Sequence, residues 1–277
     1  MSKLAIQTLA GALSGLCLAF WPALGAVAAE ADTDELPWKT WEFLLGGYLT
    51  THDSSLRIDS ESTGNGTEID LEDDLGLTQS LETVRFDAMW RFRPRHRADF
   101  AYYRISRDAL RVTDRIIVIG NTIFPINTSV ATEVNLTIYK ASYSYSVVQN
   151  SRFDVGLSAG LHVMDIETKI VAEKIGKSES ADLLAPLPVL GLRGDWAMTP
   201  KWLLRGKVDV FAVSVDGTRG RFTDGLIAVE YDAFEHFGVG LGYNRVSMRI
   251  IGNKSDFRGE IGAGYGAVML YGKLFFN

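Results

Sequence analysis

The sequence sets a histidine, a carboxylate and a hydroxyl side by side at His52-Asp53-Ser54. A histidine that drew a proton from serine while an aspartate oriented it would do hydrolytic chemistry. In an extended chain, neighbouring side chains point to opposite faces, so His52 and Asp53 cannot pair without a bend. His96, His162 and His236 have no comparable company. Neither a G-x-S-x-G elbow nor an H-E-x-x-H helix occurs. Cys17 is the single cysteine, so disulfides and thiolate metal clusters are excluded. Asp70, Glu72, Asp73 and Asp74 form an acidic run with the oxygen ligands that hard cations use. It lacks the glycine that an EF-hand loop needs at its sixth place, and no cofactor is expected.

A wider pattern carries more charge. Arg85, Asp87 and Arg91 alternate with Val84, Phe86, Trp90 and Phe92. Asp154 and His162 alternate with Phe153, Val155, Leu157, Leu161 and Val163. Arg193 and Asp195 stand against Leu190, Leu192 and Trp196; Arg205, Lys207 and Asp209 against Leu204, Val208 and Val210. Asp99, Glu230 and Lys273 complete a ladder of charges on one face of successive segments. Charges enclosed by such segments could plug the space between them as ion pairs, line a narrow conduit for small solutes, or move as a gate. Gly156, Ser158, Gly160, Gly238, Gly240 and Gly242 leave room on that face.

A period of two places these residues on β-strands. Segments of about ten residues, apolar on one side and charged on the other, are the signature of an antiparallel transmembrane β-barrel. Hairpin counting predicts ten strands, with eight or twelve as alternatives: 41–59, 80–93, 97–112, 132–147, 152–167, 187–198, 201–215, 222–233, 236–251 and 259–276. Tight turns at 93–96, 148–151, 198–201 and 233–236 alternate with polar connections near 61–79, 113–130, 168–187, 216–221 and 252–257. The apolar face switches parity between Ile138 and Tyr139, and again near Arg104 and Arg245. Such switches mark either bulges or strands running beyond the lipid band.

The chain has 277 residues, 47% of them apolar, and a net charge of −6, which disfavours nucleic acid. Residues 1–28 read as a signal peptide, with Lys3 before an apolar stretch and Ala26-Val27-Ala28 as the cleavage site. Leu16 before Cys17 does not fit a lipidation site. Residues 29–40 then form a periplasmic N-terminal segment and 41–277 the barrel.

The last strand, with Val268, Leu270, Leu274 and Phe276 on one face, resembles the C-terminal recognition signal of outer-membrane barrels, although Asn277 follows the aromatic. Further resemblance lies in Ile69–Leu77, Arg95–Phe100, Ala185–Gly194 and Gly240–Asn244. These segments resemble a family of Gram-negative outer-membrane β-barrel proteins, of the OmpA-like and porin-like kind, that brings fold and location but no activity. The resemblance implies outer-membrane lipids and lipopolysaccharide as surroundings, and delivery to the barrel-assembly machinery through the strand ending at Phe276. The expected function is non-enzymatic, an envelope structural role or a narrow solute channel. The alternatives are a barrel enzyme acting on lipid A or peptides, and adhesion through the connections 113–130 and 168–187.

Overall fold

The computed structural model describes residues 37–58, 68–77, 80–114, 116–119, 122–172, 176–215, 218–253 and 258–277. The expected signal peptide and most of segment 29–40 lie outside them. In chain order the strands are β1 (Trp41–Ile58), β2 (Ile69–Asp70), β3 (Ser80–Arg93), β4 (His96–Val112), β5 (Ile117–Ile119), β6 (Thr122–Phe124) and β7 (Ser129–Gln149). There follow β8 (Phe153–Ala172), β9 (Lys177–Ala197), β10 (Trp202–Val215), β11 (Thr218–Tyr231), β12 (Phe237–Asn253) and β13 (Arg258–Phe276). Ten of them make an antiparallel barrel that closes where β13 pairs with β1, from Trp41↔Phe276 to Ile58↔Gly259. The short β2 pairs with Ser55 and Leu56 of β1, and β5 with β6 forms a separate hairpin.

Several expected connections are strand. The segment 168–187 is taken up mostly by β8 and β9, which stay paired as far as Ala172↔Lys177. Residues 218–221 belong to β11, and 113–130 contains the β5–β6 hairpin. The polar character of these segments arises because their outward faces meet water. The parity switches have the same origin. Pairing runs unbroken through Ile138, Tyr139, Arg104 and Arg245, so no bulge sits there; the irregularities lie at Trp90/Arg93 and Ser146/Val148, beside the tight turns.

What switches is the environment. Near the tight turns the outward face is apolar: Leu45, Leu49, Val84, Leu157, Leu161, Leu190, Leu241 and Leu270 are exposed. On β8 this belt runs from Phe153 to Val163, about 33 Å along the strand and about 25 Å along the axis at a usual tilt, the height of a lipid-facing band. Ring pairs edge it at the turn end, with Trp41 stacked on Trp90 at 5.2 Å and Trp202 tilted against Tyr231 at 4.8 Å. Tyr102 against Tyr139, 5.2 Å apart, marks its other edge. Beyond that edge the wall inverts. Ile105, Ile138, Met164, Phe222, Val246 and Met248 are buried inside, while Arg104, Glu167, Arg221 and Arg245 are exposed outside.

Three departures interrupt this cylinder; in the first, pairing between β3 and β4 ends at Arg85↔Tyr103 although both strands continue towards the loop end. At the loop end, Ile69, Leu71, Leu75 and Leu77 pack with Ile117, Phe124, Val130 and Ile170 into an apolar cap. Between β9 and β10, pairing covers only Ala197↔Leu203 to Leu190↔Val210, although both strands continue towards the loop end. Pro186 and Pro188 lie on β9 just past that point and have no N–H to offer.

The tier boundary sets the cost of a charge on the outer face. Leu157→Arg, in the middle of the belt, is expected to cost about 2–4 kcal/mol on folding into lipid vesicles, and Leu110→Arg, beyond its edge, about 0–1 kcal/mol. Equal costs in a urea titration would put the boundary elsewhere.

Candidate functional site

Inside the belt, alternation forces every second side chain of each strand into one confined space. Those side chains are mostly ionic, and they connect across the space as well as along the wall. Arg97 of β4 pairs with Asp99 at 2.6 Å and reaches Asp195 of β9 at 2.8 Å. Arg205 of β10 meets Asp195 at 3.0 Å, Glu230 of β11 at 3.2 Å and Glu42 of β1 at 2.8 Å. β4 and β9 are not neighbours in the wall, nor are β10 and β1. The contacts therefore tie one side of the barrel to another.

The same network extends towards the tight turns. Arg193 pairs with Asp154 at 3.2 Å and donates to Ser144 Oγ and Ser146 Oγ at 2.9 and 2.6 Å. Arg91 pairs with the same Asp154 oxygen, Oδ2, at 2.7 Å and donates to the Pro94 carbonyl at 2.9 Å, which anchors a turn. Lys273 pairs with Glu230 at 2.8 Å and Asp232 at 2.7 Å, and the Tyr271 hydroxyl donates to Glu230 at 2.8 Å.

Above this layer, Arg85 forks onto Asp87 through Nε and Nη2, at 2.6 and 2.5 Å, and lies over the rings of Tyr48 and Tyr103. Lys140 pairs with Asp224 across the lumen, and Lys207 with Asp209 at 3.3 Å. His162 is fully buried between these two carboxylates, Nε2 3.4 Å from Asp209 and Nδ1 3.9 Å from Asp224, with its ring edge-on to Phe222. A cation could find ligands in that trio. Both carboxylates are already engaged by a lysine, and Asp224 also accepts from Asn244 at 2.7 Å, so charge balance there requires no metal.

All thirteen residues of the predicted ladder, Arg85, Asp87, Arg91, Asp99, Asp154, His162, Arg193, Asp195, Arg205, Lys207, Asp209, Glu230 and Lys273, contribute to this interior. Sequence reasoning missed Glu42, Arg97, Lys140 and Asp224. Parity with Ser142, Ser144 and Ser146 would have found Lys140. A cavity within the lumen measures about 80 Å³ and is lined by Arg85, Asp99, Lys140, Arg193 and Asp224 among others. At about 10–15 Å³ per enclosed water, it holds a handful of molecules.

The other candidates fall apart geometrically. His52 is buried and meets Thr50 Oγ1 at 3.0 Å, while Asp53 is exposed on the opposite face. The acidic run folds as a turn: Asp70 Oδ1 accepts from the amides of Glu72 and Asp73, and Asp74 Oδ2 from that of Asp70. Glu72 turns inwards, accepts from the Ser54 amide at 2.9 Å and pairs with Arg107 at 2.5 Å, latching the cap to the wall.

No protein-family model and no curated protein sequence matches the chain. Among solved structures, it is similar to the outer membrane protease OmpT from Escherichia coli, at 12% identity and a TM-score of 0.54 over 88% of this chain and 99% of that one. The translocator domain of the autotransporter NalP from Neisseria meningitidis matches at 11% identity and a TM-score of 0.44, over 88% of this chain and 90% of that one. Ail, the attachment invasion locus protein of Yersinia pestis, matches at 10% identity and a TM-score of 0.40, over 86% of this chain and all of its own. The likeness to OmpT shows that the chain has the fold of outer-membrane β-barrels.

Asp195 faces three arginines with almost no access to water. Asp195→Ala would strand their charge, and the expected loss of stability is about 3–5 kcal/mol. Asp99→Ala, at the edge of the cavity, should lose clearly less. Urea unfolding in lipid vesicles, followed by tryptophan fluorescence, compares them; equal losses would refute the central position of Asp195.

Proposed function

We propose that the chain is an envelope structural protein: an outer-membrane barrel whose lumen is closed and whose loop end holds a folded cap outside the bilayer. The observation carrying this reading is the pair of cross-lumen ties, Arg97 to Asp195 and Arg205 to Glu42. Solutes crossing the lumen would have to break ion pairs that water does not reach, at a cost of several kcal/mol each. The apolar cap supports it from the other side, since Glu72 and Arg107 fasten the cap where a channel would have its mouth.

Outer-membrane placement is part of the same proposal. The exposed apolar belt needs lipid to cover it. The fold is the one found in that membrane, and Phe276, exposed at the end of the last strand, is where an assembly signal would be read. Export through a cleaved signal peptide and contact with lipopolysaccharide complete it.

Purified protein in planar bilayers is expected to show no stable current steps. The double variant Arg97→Ala/Asp195→Ala, which deletes one tie with both of its charges and leaves Asp99, Arg193 and Arg205 one partner fewer each, should remain closed while Arg205 still bridges to Glu42. Regular steps from the unaltered protein would overturn the closed-lumen reading in favour of a channel. Absence of the protein from the outer-membrane fraction of cells would overturn the placement.

A further inference from the structure

The end of pairing between β9 and β10 has a chemical cause and a distinct lining. Beyond Leu190↔Val210 the strands carry on without each other. Unpaired strand edges at membrane depth are costly, because no water satisfies their amides. Here Pro186 and Pro188 remove two donors from the β9 edge, so the opening is written into the sequence. On β8 the residues paired with these prolines are Val163 and Leu161, which belong to the upper part of the apolar belt. The seam thus starts within the lipid-facing band and rises out of it.

Behind the seam the wall is apolar. Leu187 and Val189 are buried on β9, and Phe211 of β10 packs against the same cluster. Beside the seam the wall is cationic. On the outer face of β11, Arg219 and Arg221 stand opposite Ser214 and Ala212 of β10, residues short enough for a guanidinium to reach over them to the gap. Arg221 also stands directly opposite Arg249 of β12, a like-charge pair that is unfavourable across strands. Glu260 meets Arg249 at 2.7 Å, but Arg219 and Arg221 have no carboxylate partner among the described residues. Among the described residues this patch therefore carries uncompensated positive charge. The two edges of the seam differ in sign: on its β9 side the outer face carries Asp182, with Asp165 and Glu167 of β8 behind it, so the cationic edge is the one formed by β10 and β11.

We propose that the seam between β9 and β10 is a lateral lipid site, taking an acyl chain between the two strands and the phosphate of its headgroup on Arg219 and Arg221. The forked guanidinium suits a phosphate oxygen pair. The site faces the loop side of the belt. On the outer-membrane placement proposed above, from which this inference takes its ligand, the lipid there is lipopolysaccharide, and the phosphate is that of its lipid A.

The test uses the full barrel purified in non-ionic detergent, with lipid A and dephosphorylated lipid A as probes and native mass spectrometry as the readout. Lipid A should bind the unaltered protein and Arg104→Gln, an exposed arginine elsewhere on the wall. Arg219→Gln/Arg221→Gln should weaken it at least about tenfold. Pro186→Val/Pro188→Val, which returns the two amides and lets the strands zip, should also weaken binding while making the barrel harder to unfold. Arg221→Gln alone keeps the proposal testable if the double variant does not fold: it should stabilise the lipid-free barrel by relieving Arg249, yet reduce stabilisation by added lipid A.

Unchanged binding in the arginine or the proline variants would overturn the proposal. So would equal binding of dephosphorylated lipid A, or lipid-free dimers that vanish in the proline variant, since these would show a second copy adding its strand to the gap. Current through the lumen would sink the closed-barrel reading without touching this one, because the seam opens sideways.

Discussion

The pairing of β13 with β1 is the constraint on which the remaining structure depends. A sheet in lipid has no solvent to satisfy its edges, so it must return to its own first strand. Here the return is complete from Trp41↔Phe276 to Ile58↔Gly259. Once the ring is closed, alternation divides every strand between an outside that must dissolve in hydrocarbon and an inside that must accommodate whatever remains. What remains is largely charge. Buried ions without partners are not tolerated, so lumen cations such as Arg205 and Lys273 each reach a carboxylate. The lumen is narrow enough for Arg97 and Arg205 to find theirs on distant strands. Closure of the wall in this way brings charges from distant strands into contact.

The inversion above the belt follows from the same rule under a change of solvent. Where the outside is water, the economical arrangement is that of a soluble barrel, apolar within and polar without. Ile138 and Lys140 show the crossing: both point inwards on β7, one into the apolar upper core and the other onto Asp224. Tyr139, between them, points outwards at the rim. The chain thus carries two barrels of opposite polarity on one set of strands, and on the membrane placement proposed above the bilayer surface is where they meet.

This inversion also decides how much was legible in the sequence. On β8, Asp154, Gly156, Ser158 and His162 separate cleanly from Phe153, Leu157 and Leu161, because the whole stretch lies within the belt. On β7 the stretch crosses the boundary, so a fixed parity looks like a slip and Lys140 is lost. Asp224 is hidden because Thr223 and Gly225 give it no apolar neighbours. The segment 168–187 reads as loop because its outward residues, Lys169, Ser178, Ser180 and Asp182, are those of a wet surface, and Pro186 and Pro188 deepen the impression. Ties between strands far apart, such as Arg97 to Asp195, leave no trace in a local pattern, since they depend on the diameter of the closed ring.

On the export proposed above, the ionic character of the lower lumen also suits the chain's passage to the membrane. A strand apolar on both faces would fill the belt as well from outside and would pack its interior without ion pairs. Ten such strands would also present runs approaching the length of apolar residues that inserts as a helix. A charge at every second or fourth position, as at Arg205, Lys207 and Asp209, keeps each strand below that limit until the barrel forms. The price is an interior that must be neutralised in place, and matched pairs achieve this with no ion drawn from solution. A lumen built under that requirement fills itself. On the closed-lumen reading proposed above, exchange with the surroundings is left to the sides of the barrel, where pairing stops at Leu190↔Val210 between β9 and β10 and at Arg85↔Tyr103 between β3 and β4.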